Sequence, residues 1–168
     1  MIVKYAFGAI AAALLIAMPG CNATTDAAAG GNGEVAKQLA PVSIRTADGK
    51  THRFQAEVAA TAEAQARGLM YRTDLGPQSA MLFAPYPPEG PPRAASFWMQ
   101  NTPTSLDIIF IRADGTIATI AENTTPFSSN PIPSGEPVAA VLEVVAGRTA
   151  ELGISEEDKV SWPGGPAL

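Results

Sequence analysis

The chain has 168 residues and a formal charge of −5 at pH 7, with sixteen acidic against eleven basic side chains, one His and one Cys. That length suffices for one ordinary domain with a real core, and the acidic excess without a basic cluster argues against nucleic acid and anionic headgroups as direct partners. A single cysteine excludes an intrachain disulfide, and a single histidine beside it leaves no zinc site of the usual nitrogen and sulfur ligands.

The N-terminus reads as an export signal: Lys4, an apolar stretch from Tyr5 to Met18, then Pro19-Gly20-Cys21. It is too short to span a bilayer comfortably. Cys21 stands where a bacterial lipoprotein signal places its acylated cysteine. Met18 and Pro19 replace the leucine and small residue usual there, so plain cleavage and secretion stays open. The organisation expected is a signal over 1–20, a lipidated Cys21 and flexible tether over 21–40, one domain over 41–163 and a tail over 164–168. With several acyl chains on Cys21 the anchor would hold stably, and it would be the protein's only membrane contact. The expected location is the periplasmic side of a bacterial membrane, or the soluble periplasm or medium without the lipid.

From Pro41 onward short apolar runs alternate with turn signals, the mark of a mostly β domain. Val42 and Ile44, the Asp48-Gly49 turn, then Phe54, Ala56 and Val58 predict a hairpin. Thr61 caps a short helix through "AEAQARG", which Gly68 can end in the left-handed region. "AMLFA" over 80–84 reads as a buried strand, and "PYPPEGPPR" over 85–93 as a loop, since prolines remove ladder donors. Strands are predicted over 95–100, 106–112 and 116–122, and a long loop over 124–137. A strongly apolar strand over 138–147, a helical turn at "RTAELG" and a last strand over 159–162 complete the domain. The runs around Ile108 and Val144 are apolar on both faces and therefore central. The fold class is α+β, mostly β: a compact β barrel or strongly bent antiparallel or mixed sheet of about six to eight short strands with two short helices.

Two acids sit where acids are costly. Alternation groups Asp107 with Ile109 and Ile111, and Glu143 lies inside "VLEVV". Each is either a bridged strut or, if the two converge, half of an acid/base pair. Partners offered to Asp107 are Arg67, Arg72, and the side chains or backbone donors of Asn101 and Thr102. Trp98 beside Asn101, Thr102 and an acid has the composition of a site that stacks on a flat apolar ring, though ordinary packing explains a tryptophan equally. His52, on a hairpin strand, reads as exposed and idle. No G-x-S-x-G, phosphate loop or calcium loop occurs, and neither a metal nor a cofactor is expected.

The ordered motifs "ARGLMYRTDL", "AMLFA", "FWMQNTPTSLDIIFIRADGTI", "VLEVVAG" and "LGI" followed by "DKV" resemble the bacterial and archaeal family known as domain of unknown function 192, from about Pro41 to Val160. The resemblance implies a small mixed β and α domain, often exported, without an established activity or cofactor. Its recurring polar positions fall on Arg72, Asn101, Thr102, Asp107 and Glu143, with Gly68, Met70, Trp98 and Gly147 among the others. The chain departs from the pattern at Gln100, where a lysine is usual, at Thr104-Ser105 in place of Ile-Pro, at Ala80 in place of glycine, and in a longer proline-rich loop after Phe83.

Three functions remain. The first is a non-enzymatic envelope module that binds a small polar ligand or a partner protein with Arg72, Trp98, Asn101, Thr102 and Asp107. The second is a hydrolase of cell-wall glycan using Asp107 and Glu143 as acid and base. The third is a structural or assembly lipoprotein docking through the loops at 85–93 and 124–137.

Overall fold

A computed structural model describes residues 39–168. The expected signal, Cys21 and nearly all of the expected tether lie outside the described residues. In chain order the elements are β1 (Leu39–Arg45), β2 (Thr51–Ala59), α1 (Ala62–Arg67), β3 (Ser79–Phe83), β4 (Arg93–Phe97), β5 (Leu106–Ile111), β6 (Ile117–Ala121), β7 (Ile132–Val138), β8 (Ala140–Val145), α2 (Arg148–Leu152) and β9 (Lys159–Ser161). Seven strands form one sheet in the order β6-β5-β8-β3-β2-β1-β9, and β4 pairs with β7 in a separate ribbon.

The large sheet is mixed. β2 and β3 run parallel, which requires a crossover, and α1 lies in it. The sheet curls until its outer strands meet at one end: Ile117 donates its N–H to Asp158 O, Val160 to Gly115 O and Glu157 to Ile117 O. This is the mostly β, strongly bent architecture with two short helices that the alternation implied.

Both faces of the sheet are covered, which explains the two runs without polar alternation. Inside the curl Val42, Ile44, Phe54, Leu82, Ile109, Ile111, Leu142 and Val144 form one core. Outside it Leu69, Phe83, Met99, Ile108, Phe110, Val138 and Val141 form a second. β5 and β8 contribute to both, so neither has a wet face.

The structure corrects three element boundaries. The segment 124–137 is not all loop, because Ile132 to Val138 form β7. Pro133 and Pro137 fit there because a two-stranded ribbon leaves one side of each strand unpaired. Its register shifts between Ala94 and Ser96, where the Ala95 N–H donates to Ser134 Oγ at 2.8 Å. The apolar run 138–147 is two strands, broken at Ala139, whose N–H bonds Ile111 O and whose carbonyl accepts from Tyr86 N. The strand expected over 95–100 runs from Arg93 to Phe97 instead, so Trp98 falls beyond its end.

α1 is short and capped as its sequence implies. Thr61 Oγ1 accepts from Ala64 N and Glu63 sits in the first turn; Gly68 ends it at positive φ (+48) but with ψ −136, a glycine conformation other than the left-handed one expected.

Candidate functional site

Asp107 is fully buried, and its carboxylate is saturated by backbone and hydroxyl donors, none of them an arginine. Oδ1 accepts from Asn123 N at 2.9 Å and Gly147 N at 3.1 Å; Oδ2 accepts from Thr149 N at 3.0 Å and Thr149 Oγ1 at 2.7 Å. The acid thus fastens the turn after β6 to the first turn of α2, and four charge-assisted bonds offset its burial. Arg67, Arg72, Asn101 and Thr102, the partners offered by sequence, play no part in holding it. Charge suggested the arginines and adjacency suggested Asn101 and Thr102; the real partners are backbone N–H groups and one hydroxyl, 16 to 42 residues away in the chain.

Glu143 has the opposite situation. Ile108 and Glu143 are register partners, whereas Asp107 pairs with Val144, so the two carboxylates leave opposite faces of the sheet. They cannot act on one bond from its two sides, which removes the geometry of the acid/base pair. Glu143 is 4% exposed, and its Oε2 is buried without a hydrogen-bond partner. Burial pushes its carboxyl up to about 8, so at neutral pH it is mostly protonated.

This carboxyl lines a cavity of about 330 Å³ bounded by α1, the proline-rich loop, β4 and the turn that follows it. Phe83, Tyr86, Phe97 and Trp98 supply aromatic surface. Phe97 meets Phe83 edge-on at 5.1 Å and Tyr86 at 5.7 Å, which fixes these three rings against one another. Trp98 remains 53% exposed. Gly68 lets α1 end directly above the acid: a Cβ there would stand 3.3 Å from Phe83 Cζ and 3.9 Å from Glu143 Oε2.

Gln65 is a cavity residue that sequence reasoning missed. Its Nε2 donates to Ala59 O at 2.9 Å and Pro85 O at 2.7 Å, which fixes the amide orientation and leaves Oε1 buried without a partner. Arg67 and Arg93 are exposed and also line the cavity. Neither makes an ion pair with a described residue. Helical spacing places Gln65 one turn before Gly68, but only the fold brings Arg93 and Tyr86 opposite.

Of the five expected ligand-binding residues, the structure brings two to this cavity, Trp98 and Thr102. Arg72 is occupied elsewhere: Nη1 bonds Glu57 at 2.8 Å and Nε bonds Asp74 at 2.6 Å, while its carbonyl accepts from Thr104 Oγ1 at 2.8 Å. Asn101 adopts φ +56 and accepts Tyr71 N–H on its carbonyl, a turn role. Asp107 lies on the far face. Among the described residues no group of three or more His, Cys, Asp or Glu could hold a metal ion.

The motifs read along the chain find their match here. The family model described as "Uncharacterized ACR", DUF192, matches residues 43–162. The chain belongs to the DUF192 family. Among solved structures, a chain from Sinorhizobium meliloti 1021 described as a candidate transcription regulator is 42% identical, with a TM-score of 0.73, covering 79% of this chain and 99% of its own. A protein of unknown function from Novosphingobium aromaticivorans DSM 12444 is likewise 42% identical, with a TM-score of 0.71, over 77% and 89%. No curated protein matches the chain.

Proposed function

We propose that this DUF192 protein is a non-enzymatic module that binds a small polar ligand, held at the periplasmic side of a bacterial membrane by a lipid on Cys21. The binding half rests chiefly on one observation: an unpartnered buried carboxyl, Glu143, on the lining of an aromatic cavity. Packing alone does not account for such a group, because a buried polar atom left unsatisfied costs about 1–3 kcal/mol. A ligand that hydrogen-bonds it recovers that cost. The cavity's described lining has no second carboxylate, histidine or cysteine with which Glu143 could run acid/base or nucleophilic chemistry. The regulator description of the Sinorhizobium relative is not carried over, since an acidic excess of five opposes a polyanionic partner.

The test is thermal unfolding of the detergent-purified full chain against a library of polar metabolites. At least one compound should raise the melting temperature of the wild type and leave Trp98→Ala unmoved. A library that shifts neither, or shifts both equally, overturns the reading.

A second reading, docking of a partner protein in envelope assembly, draws on the pairing of β4 with β7. That ribbon joins the ends of both proline-rich segments, 85–93 and 124–137, through Arg93 opposite Val138 and Ala94 opposite Pro137.

A further inference from the structure

Resting on that binding reading, we infer that the cavity takes a small zwitterion, its protonated amine inside against Glu143 and Gln65 and its anionic group at the mouth against Arg67 and Arg93. The inner end is defined by two oxygen atoms that lack donors. Gln65 Oε1 can only accept, because its Nε2 is committed to the Ala59 and Pro85 carbonyls. Glu143 Oε2 is buried on the same cavity, beneath the α1 terminus that carries Gln65. Gln65 Oε1 requires a donor, and Glu143, a pure acceptor once ionised, takes a second hydrogen bond from the same group, so an ammonium satisfies both while a carboxylate or ether leaves Gln65 Oε1 unpaired.

Aromatic faces favour the same choice. Phe97, Tyr86 and Trp98 line the cavity, and aromatic rings attract a cation through the negative face of their π-systems and stack on a flat apolar body. At the outer end the sign reverses, since Arg67 and Arg93 are exposed and have no described acidic partner. An anion beside an amine is the arrangement of a free amino acid.

The proton balance follows. Met81 of β3 and Ile108 of β5 flank Glu143 in the sheet, and Phe83 and Gly68 close over it. The titratable groups sharing its cavity are Arg67 from α1, Arg93 from β4 and the Tyr86 phenol from the loop. With the carboxyl raised by burial to about 8 in the free protein, pairing with an ammonium ionises it and releases one proton to solvent. Below that pH the ligand competes with the proton, so affinity rises about tenfold per pH unit toward 8 and levels off above it.

Three probes test this by titration calorimetry on the detergent-purified full chain: phenylalanine, phenethylamine and phenylpropionate. Phenylalanine and phenethylamine should bind, and phenylpropionate should not. Between pH 6 and 8 both amines should bind more tightly with rising pH, and the proton release, read from buffers of different ionisation enthalpy, should fall from close to one at pH 6 to about one half at pH 8. Glu143→Gln should weaken both amines at least tenfold and abolish the pH slope, and Arg93→Ala should weaken phenylalanine while sparing phenethylamine. Should Glu143→Gln fail to fold, proton release by the wild type decides alone. Binding of neither amine, amine binding without proton release, or phenylpropionate as tight as phenethylamine overturns the inference. If the metabolite library still yields a Trp98-dependent compound, the binding reading survives that failure; if it yields none, both fall.

Discussion

Asp107 and Glu143 are each one carboxylate in an apolar strand, and their environments send them to opposite ends of the energy scale. Asp107 accepts four hydrogen bonds, so replacing it with asparagine turns at least one N–H donor site into a clash of donors. We expect Asp107→Asn to lower stability by about 2–3 kcal/mol, read as a fall in melting temperature, with amine affinity at the cavity unchanged. Loss of binding without loss of stability would move the residue from strut to site. Glu143 behaves in reverse. Its ordinary value of 4.5 is raised to about 8, so between those limits the unfolded chain gives up a proton that the folded chain keeps. Stability contributed by the neutral acid is therefore complete below about pH 4.5 and is lost as pH climbs to 8, on the order of 5 kcal/mol in all. Glu143→Leu should flatten that decline in melting temperature from pH 5 to 8; an equal slope in the variant assigns it to another group. The sequence exposed both acids as anomalies, because alternation alone surrounds them with isoleucine and valine. It could not sort them, because what separates them is a helix 40 residues downstream of one and a glycine 75 residues upstream of the other.

Short elements carry the site, and their legibility depended on whether their cause was local. The Thr61 cap and the Gly68 stop are local chemistry and could be read directly, as could the β1–β2 hairpin around Asp48-Gly49. β7 could not. Its two prolines argue against a strand, and they are harmless because among the described residues the ribbon has no third strand. Asp158 shows the same dependence on distance, accepting from Ala47 N at 2.9 Å and Ser155 N at 2.8 Å to tie the β1–β2 turn to the last strand's approach. Gly68 is the element-scale test. A side chain there meets both a positive φ and the Phe83 ring, so Gly68→Ala should cost about 1–2 kcal/mol in denaturant unfolding and also weaken amine binding, since the new methyl points toward Glu143. A fully stable variant with intact affinity would remove α1 from the cavity's roof.

For the whole molecule, the two cores on either face of β3, β8 and β5 explain why one sheet can be both a curled container and the wall of a cavity. The inner core stabilises the curl, and the outer one presses α1 and the β4–β7 ribbon against it. The proposed placement in the envelope belongs to this scale and rests on the sequence reading of residues 1–21 alone. Cys21→Ser should shift the protein from the membrane fraction to the soluble fraction, and an unlipidated wild type already soluble would leave secretion as its route.

The seam of the curl has a further consequence. β9 is three residues long, yet it lies along β1 on one side and meets the approach to β6 on the other. The earliest described strand and the sixth are therefore buckled together by the last. A ribosome feeding this chain out from its N-terminus leaves the buckle unfastened until residues 159–161 emerge, so the curl closes only after every other strand of the sheet is already outside.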